Sequence, residues 1–136
     1  MALPKEQLFL APSTIPAAGT GLFTNAAIPK GTRIIEYKGH ICTWKQACEK
    51  DHTNPYLFYV KRSHVIDAKN NLKSLGRYIN DARGMSKTKG INNNCQFVVE
   101  GLRVYIDAIK NIPAQSEIFV SYGKEYWDQM KEVHKK

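Results

Sequence analysis

The sequence lacks the features of membrane-spanning, secreted and metal-binding proteins. No apolar run in its 136 residues approaches the roughly 20 that a membrane helix requires, and the apolar stretch near the start is too short for a secretory signal. Cys42, Cys48 and Cys95 form an odd number without CxxC spacing, and the four histidines show no ligand spacing. We therefore expect reduced thiols, no bound metal, no membrane contact and a cytoplasmic location, or a nuclear one in a eukaryotic source.

Several familiar fold signatures are absent as well. The chain has no regular alternation of strands with long helices, no heptad pattern and no low-complexity segment. Residues 13–21 are predicted to form a loop, in which Gly19-Thr20-Gly21 has only two glycines and no strand–turn–helix context, so a dinucleotide-binding fingerprint is excluded. Two close glycines still allow a backbone to approach a ligand. Length and composition predict one globular domain of residues 1–136.

The chain is basic, with a net charge of +8, yet its lysines and arginines are spread along the sequence. Two interpretations stay open. One is a solvated basic surface, and the other is a surface that contacts nucleic acid or an acidic assembly, because neutralised phosphates release counterions. A small β module that binds nucleic acid through this surface is therefore one functional alternative.

Short strands dominate the local patterns. Alternating positions rich in β-branched and aromatic residues predict strands at 8–10, 33–37, 56–60, 65–68, 96–99, 102–108 and 117–122. The three aromatic residues within 56–60 suit either plain core packing or an aromatic-lined slot. Two similar Ile-Pro turns, at 28–29 and 112–113, each precede a strand, which indicates either two related β halves or one turn used twice.

Two short helices are predicted. Thr43 and Gln46 match a capping box, in which each side chain satisfies a backbone donor of the other residue, so a helix is expected over about 44–50. Apolar residues recur at helical spacing over about 124–134 and predict an amphipathic C-terminal helix. The predicted fold class is therefore mainly β with short helices.

The strand that precedes Gly123 ends on a tyrosine. Ile118, Val120 and Tyr122 share one face of a period-two pattern, which Gly123 interrupts. Tyr122 is thus expected at a strand end, where a scaffold often presents a working side chain. The alternative for this residue is amphipathic packing.

Four blocks follow one another along the chain, at 18–23 (Ala-Gly-Thr-Gly-Leu-Phe), 30–39 (Lys-Gly-Thr-Arg-Ile-Ile-Glu-Tyr-Lys-Gly), 66–80 with Asn94-Cys95 downstream, and 117–123 (Glu-Ile-Phe-Val-Ser-Tyr-Gly). In order and spacing they resemble the SET-domain family of protein-lysine methyltransferases, over a core of about 7–127. The resemblance implies a single SET domain with a β-clip fold, which consists of small twisted sheets, a pseudo-knot and short helices including a C-terminal one.

The resemblance also implies an activity. It is the transfer of methyl groups from S-adenosylmethionine to the side-chain amine of a lysine in a protein substrate, either a histone or another basic nucleic-acid-associated protein. Tyr122 is the implied catalytic residue at the methyl-transfer pore, and Asn80 would bind the amino-acid end of the cofactor. The residues implied to contact the cofactor, the first three mainly by backbone, are Ala18, Gly19, Thr20, Gly21, Arg77, Tyr78, Asn80, Asp81 and Trp127. The residues implied to border the substrate lysine are Tyr56, Phe97, Tyr105 and Val120.

The sequence departs from the family pattern in several places. Asp81 stands where the family has a histidine, and its backbone is implied to serve the adenine. The flanking zinc clusters of many members are absent from this sequence, and Trp127 is interpreted either as a cover over the adenine or as a packing residue of its helix. The small Val120 near the pore favours addition of more than one methyl group.

The departures leave a second functional alternative open, a catalytically inactive SET-like module that binds a peptide or nucleic acid. Intact Tyr122, Asn80 and the Gly19/Gly21 pair argue for the enzyme. The expected partner is a protein substrate, and a homodimer is a further possibility.

Overall fold

The structure is a computed structural model that describes residues 3–16, 18–50, 56–82 and 90–122. The strands are β1 (Leu8–Pro12), β2 (Thr20–Thr24), β3 (Arg33–Glu36), β4 (His40–Cys42), β5 (Leu57–Lys61), β6 (His64–Asp67), β7 (Cys95–Glu100), β8 (Arg103–Ala108) and β9 (Ser116–Glu117). One α-helix, α1 (Trp44–Lys50), and two 3-10 turns, Lys5–Gln7 and Leu75–Tyr78, complete the described elements. The predicted helix over 124–134 lies outside the described residues.

Within the described residues, the strands form three small antiparallel sheets. Their strand orders are β1-β2-β9, β3-β8-β7 and β4-β6-β5. Apolar residues from all three sheets, among them Leu22, Ile66 and Ile106, join one buried cluster. Because each sheet is too small to bury much surface alone, its stability depends on this shared core. The predicted mainly β class is confirmed.

Local sequence signals locate several elements closely. The helix begins with the predicted capping box, in which the Thr43 amide donates to Gln46 Oε1 at 2.9 Å and the Gln46 amide donates to Thr43 Oγ1 at 3.1 Å. The predicted strands 96–99 and 102–108 form the β7–β8 hairpin, which turns at Gly101 with a positive φ of 63°. These features depend on neighbours in sequence, which is why the sequence alone predicts them.

Two predictions about loops and strands are wrong. Part of the predicted loop 13–21 belongs to β2, which pairs with both β1 and β9. The predicted strand 117–122 is reduced to the two residues of β9, followed by isolated bridges at Phe119 and Val120. Ile118, Phe119 and Val120 are all buried, so no alternation between core and solvent exists there.

The two Ile-Pro turns meet in space. The amide of Ile28 donates to the carbonyl of Ile112 at 2.8 Å, and the amide of Ile112 donates back to Ile28 at 2.8 Å. Both side chains are buried. The repeated motif therefore forms a paired contact that aligns the entries to β3 and β9.

Candidate active site

The segment that leads to Tyr122 runs between two distant parts of the chain. The Val120 amide donates to the carbonyl of Asn80 at 3.0 Å, and the Cys95 amide donates to the carbonyl of Phe119 at 2.9 Å. The Phe119 carbonyl and the Val120 amide belong to one trans peptide group, so they point in opposite directions. Asn80 and Cys95 therefore flank the segment on opposite sides, through parallel bridges.

Asn94 fastens the same segment with its side chain. Its Oδ1 accepts a hydrogen bond from the Phe119 amide at 2.9 Å, and its Nδ2 donates to the Glu117 carbonyl at 3.1 Å. One amide side chain thus satisfies two backbone groups of this segment, the Phe119 amide and the Glu117 carbonyl. Asn94 therefore has a structural role, which is to hold the backbone of the segment that leads to Tyr122.

Tyr122 is half-buried and is held at both its backbone and its hydroxyl. The phenolic hydroxyl donates to the carbonyl of Ile79, and the backbone amide donates to Asp81 Oδ2 at 2.9 Å. Both acceptors lie beside Asn80 in sequence. The hydroxyl of the predicted catalytic residue is therefore located next to the segment predicted to bind the cofactor.

The side chain of Asn80 connects that segment to β2 and β9. Its Nδ2 donates to the carbonyl of Thr20 at 3.2 Å and to Glu117 Oε2 at 3.3 Å. Glu117 is only 4% exposed and also accepts hydrogen bonds from Ser13 and Thr14. Glu117 was not predicted as a site residue, although it lies in the 117–123 block. The available signal was a charged residue directly before the apolar run Ile118-Phe119-Val120.

The two glycines of the 18–23 block have different roles. Gly19 has a φ of +73°, and a Cβ there would meet no atom within 4 Å, so its backbone conformation requires glycine while the space around it stays open. A Cβ on Gly21 would lie 2.3 Å from Glu117 Oε2. Gly21 therefore makes room for the Glu117 carboxylate, and its own atoms are buried beneath it.

Arg77 and Tyr78 make contacts within the protein. Arg77 Nε donates to the carbonyl of Ala68 at 2.9 Å, and its guanidinium lies 4.3 Å from the ring centre of Tyr56. The hydroxyl of Tyr78 donates to the carbonyl of Leu72 at 2.9 Å. Arg77 therefore stabilises the backbone at 68–69 through hydrogen bonds to both carbonyls, and it stabilises the Tyr56 ring through a cation–π contact.

The four residues predicted to border the substrate lysine are not all brought together. Phe97 packs on Tyr37, whose hydroxyl donates to the carbonyl of Tyr56 at 2.7 Å, so Tyr56 and Phe97 adjoin the same aromatic cluster. Tyr105 lies on the other face of the β7–β8 pair, under Arg33 at 4.1 Å, beside a separate cavity of about 390 Å³. Val120 has no exposed surface and belongs to the core.

The family of this chain is identified by its similarity to known proteins. The SET domain family matches residues 19–123, which include both glycines, Asn80 and Tyr122. The chain belongs to the SET-domain family. The resemblance stated from the four sequence blocks is thereby confirmed.

Relatives of this SET domain include much longer proteins. The histone-lysine N-methyltransferase EZH2 of Chaetomium thermophilum is 27% identical over 141 aligned positions, which cover 89% of this chain and 8% of that protein. The chain thus spans about 8% of the length of this relative. The parts of EZH2 outside the aligned positions are not matched by this chain.

Solved structures share the fold. The methyltransferase domain of human PR domain-containing protein 2 has a TM-score of 0.65 at 23% identity, covering 89% of this chain and 79% of that one. A humanized mutant of the Chaetomium thermophilum Polycomb Repressive Complex 2 bound to the inhibitor GSK126 has a TM-score of 0.72 at 26% identity, covering 96% and 16%. The ctPRC2 structure bound to S-adenosylmethionine has a TM-score of 0.69 at 24% identity, covering 94% and 16%. These likenesses confirm a SET fold.

S-adenosylmethionine is the methyl donor of SET-domain methyltransferases, and the cofactor prediction is confirmed at this level. The residues of this chain fit it. Gly19 and Thr20 are exposed residues, a side chain at Gly19 would meet no atom within 4 Å, and Asn80 Oδ1 accepts no hydrogen bond from any donor in the described ranges. An open backbone edge beside a free amide oxygen suits a ligand with an ammonium group and polar hydroxyls.

Asp81, at the position of the family histidine, has a defined side-chain role. It is 5% exposed, and its Oδ1 accepts a hydrogen bond from Asn93 Nδ2 at 3.0 Å while its Oδ2 accepts the Tyr122 amide. Asn93 Oδ1 in turn accepts the Ala82 amide at 2.7 Å. The Asp81 carboxylate therefore links the backbone of Tyr122 to the side chain of Asn93, which in turn is bonded to the backbone of Ala82. Its predicted backbone contact with adenine stays a prediction.

The remaining predicted site features are partly outside the structure. Trp127 lies outside the described residues. Ala18 is half-buried beside Gly19, and its amide donates to the carbonyl of Ile15 at 3.2 Å. In the described ranges, no three side chains of the His, Cys, Asp and Glu types gather in a way that suits a metal ion. None of the described helices has the length and apolar character needed to cross a membrane.

Cys95, which flanks the segment that leads to Tyr122, is expected to be unreactive towards alkylating reagents. It is 1% exposed, and burial raises the pKa of its thiol to about 12, from an ordinary 9.0, with the charge of Asp107 acting in the same direction. At pH 8 its thiolate fraction is then lowered about 10³-fold, so alkylation by iodoacetamide should be slower by that factor in the folded chain than in urea. A Cys42→Ser, Cys48→Ser variant isolates this thiol for mass-spectrometric measurement. Equal rates in the folded and unfolded states would contradict the buried placement.

The same raised pKa predicts how stability depends on pH. The thiol of the unfolded chain loses its proton near pH 9, whereas that of the folded chain keeps it up to about 12. The contribution of Cys95 to stability is therefore complete below pH 9 and is lost as the pH rises from 9 to 12.

Proposed function

We propose that this SET domain is an S-adenosylmethionine-dependent protein-lysine N-methyltransferase that acts on a histone or another basic nucleic-acid-associated protein. The observation that supports this most is the hydrogen bond from the Tyr122 hydroxyl to the carbonyl of Ile79, next to Asn80. It joins the side chain expected to face the lysine amine to the segment expected to hold the methyl donor.

The chemistry requires little beyond positioning. When bound, S-adenosylmethionine supplies a methyl group on a sulfonium, and transfer to an amine is an in-line displacement. Because the Tyr122 hydroxyl donates its proton to the carbonyl of Ile79, its oxygen is expected to meet the substrate amine as a hydrogen-bond acceptor and to orient it. The carbonyl of Ile79 would also accept weak CH···O contacts from the methyl donor.

The substrate lysine must lose a proton before it can attack. Its free pKa is about 10.4. A positive charge ~4 Å away raises the energy of an ammonium by roughly 4 kcal/mol at an effective dielectric of 20, which lowers that pKa by about three units. The aromatic cluster of Tyr37, Phe58 and Phe97, adjoining Tyr56, removes water and acts in the same direction. No dedicated general base is required.

The substrate proposal follows from charge. A chain with a net charge of +8 repels a free basic tail and attracts the same tail when it is bound to nucleic acid. We therefore propose a nucleic-acid-associated protein as substrate, and a cytoplasmic location, or a nuclear one in a eukaryotic source. Addition of more than one methyl group also stays a proposal.

The function is tested by transfer of radiolabelled methyl groups from S-adenosylmethionine to a panel of histones and other basic proteins. Asn80→Ala should bind S-adenosylmethionine at least tenfold more weakly and lose methyl transfer in proportion at subsaturating donor, because it removes the free amide oxygen. Asn70→Ala, an exposed asparagine that is not among the predicted site residues, serves as the control. If the unmodified chain neither binds nor donates, the enzyme proposal is wrong.

A further inference from the structure

Glu117 is a buried acid whose partners are all hydrogen-bond donors. Its Oε1 accepts from the amide and the hydroxyl of Thr14, both at 2.7 Å, and its Oε2 accepts from the Ser13 hydroxyl at 2.7 Å and from Asn80 Nδ2 at 3.3 Å. The Ser13 hydroxyl is itself oriented, since it accepts the Ile15 amide at 3.1 Å. A carboxylate offers about four lone-pair sites, and these four donors use them.

The contact with Asn80 determines which way its amide faces. Nδ2 carries two hydrogens and meets two acceptors, the Thr20 carbonyl and Glu117 Oε2. A flipped amide would turn its oxygen towards these two oxygens and lose both hydrogen bonds. Oδ1 is therefore kept on the opposite side, where no donor of the described chain reaches it. An amide oxygen presented in this way suits a cationic donor such as an ammonium group.

Gly21 is required for this arrangement. Its missing Cβ leaves the space that Glu117 Oε2 occupies, and Asn80 Nδ2 would lie 3.4 Å from a Cβ at that position. The glycine pair thus serves the cofactor site in two ways. Gly19 keeps the exposed backbone open, whereas Gly21 admits the carboxylate that lies behind Asn80.

We propose that Glu117 is a positioning residue of the cofactor site, which holds the Asn80 amide so that Oδ1 faces the α-amino group of the cofactor. This rests on the proposed function, because it takes the ligand to be S-adenosylmethionine or its product. Glu117 does not itself touch the ligand. The competing explanation is that Glu117 only anchors the 13–14 loop and supports the fold in general.

The test is calorimetric titration with two ligands, S-adenosylhomocysteine and 5′-methylthioadenosine, which has no amino-acid end. Glu117→Gln has the same shape but replaces one acceptor oxygen by a donor, so the amide of Asn80 loses its preferred orientation. We expect affinity for S-adenosylhomocysteine to fall at least tenfold, while affinity for 5′-methylthioadenosine changes less than twofold. Thr14→Val removes a hydroxyl donor from the same carboxylate and leaves Asn80 Nδ2 in place, so it should change neither affinity more than twofold.

A double-mutant cycle distinguishes positioning from general support. If Glu117 acts through Asn80, Glu117→Gln should have no further effect on S-adenosylhomocysteine binding once Asn80 is replaced by alanine. Equal losses for both ligands, or the same fold-loss in the Asn80→Ala background, would overturn the inference and leave the proposed function intact. Failure of the unmodified chain to bind S-adenosylhomocysteine would overturn both.

Thermal unfolding is measured on each variant before titration. If Glu117→Gln does not fold, Glu117→Asp is used with the same criteria, because it keeps the charge and withdraws it from Asn80 by one methylene, about 1.5 Å. The selective loss for the ligand with an amino-acid end is again the expected result, and an unselective loss contradicts the inference.

Discussion

Replacement of Tyr122 by phenylalanine is expected to lower the turnover of methyl transfer about 10²-fold, which corresponds to about 2.7 kcal/mol of transition-state stabilisation. The ring that packs against the core is retained, but the hydrogen bond to the Ile79 carbonyl and the lone pairs that would orient the lysine amine are lost. Because this interaction acts on the reacting amine, kcat should fall while KM for the protein substrate stays within about threefold. Steady-state kinetics at saturating S-adenosylmethionine measure both constants.

Tyr59→Phe is the matched control for this change. Tyr59 is 50% exposed and contacts Trp44 edge-on, at the far side of the β4-β6-β5 sheet, so loss of its hydroxyl should leave kcat unchanged. Calorimetric binding of S-adenosylhomocysteine should be the same for both variants and for the unmodified chain. A Tyr122→Phe variant with ordinary turnover would show that its hydroxyl does no more than pack the strand end.

Replacement of Asp81 by alanine is expected to destabilise the chain by about 2–4 kcal/mol and to lower turnover as well. The change leaves two part-buried donors, the Tyr122 amide and Asn93 Nδ2, without this acceptor, at a cost of about 1–2 kcal/mol each, the lower part of the range for an unsatisfied donor. It also removes the hydrogen bond that holds the backbone of Tyr122. Urea unfolding gives the stability change, and methyl transfer below the unfolding transition gives kcat.

Asn93→Ala separates the two contacts of Asp81. This variant loses the loop side of the network, including the hydrogen bond to the Ala82 amide, but keeps the contact between Asp81 and the Tyr122 amide. We expect a loss of stability without a comparable loss of kcat. Asp81→His, which restores the family residue, should recover part of the turnover if the imidazole accepts the Tyr122 amide. Equal turnover in Asp81→Ala and the unmodified chain would exclude a positioning role for this carboxylate.

These two residues illustrate how far the sequence leads. Tyr122 was predicted from a strand end followed by glycine and from its block of the family pattern, and the structure gives it a specific acceptor, Ile79. Asp81 was predicted as a cofactor contact through its backbone, at a position where the family has a histidine, and no role was predicted for its side chain. Its partner Asn93 is 12 residues away, so local sequence carries no sign of their contact.

Glu117 shows the same limit more sharply. Alternation predicted a strand over 117–122 with Glu117 on the face opposite Ile118 and Val120, where a charged side chain would ordinarily be exposed. The structure buries it because Ser13 and Thr14, about a hundred residues earlier, and Asn80 supply the donors that a carboxylate needs in the interior. No spacing in the sequence encodes that meeting.

The sequence by itself determined the mainly β class, the capped helix over 44–50, the β7–β8 hairpin and, through four ordered blocks, the SET family with Tyr122 and Asn80 as its key residues. All of these depend on short-range patterning or on motifs that stay contiguous. Only the tertiary structure decided that the peptide group between Phe119 and Val120 bridges Asn80 and Cys95. It also decided that Gly21 makes room for Glu117, and that Tyr105 lies away from the aromatic cluster. Those are contacts between residues far apart in the chain, and they are set by packing and by the need to satisfy buried donors and acceptors.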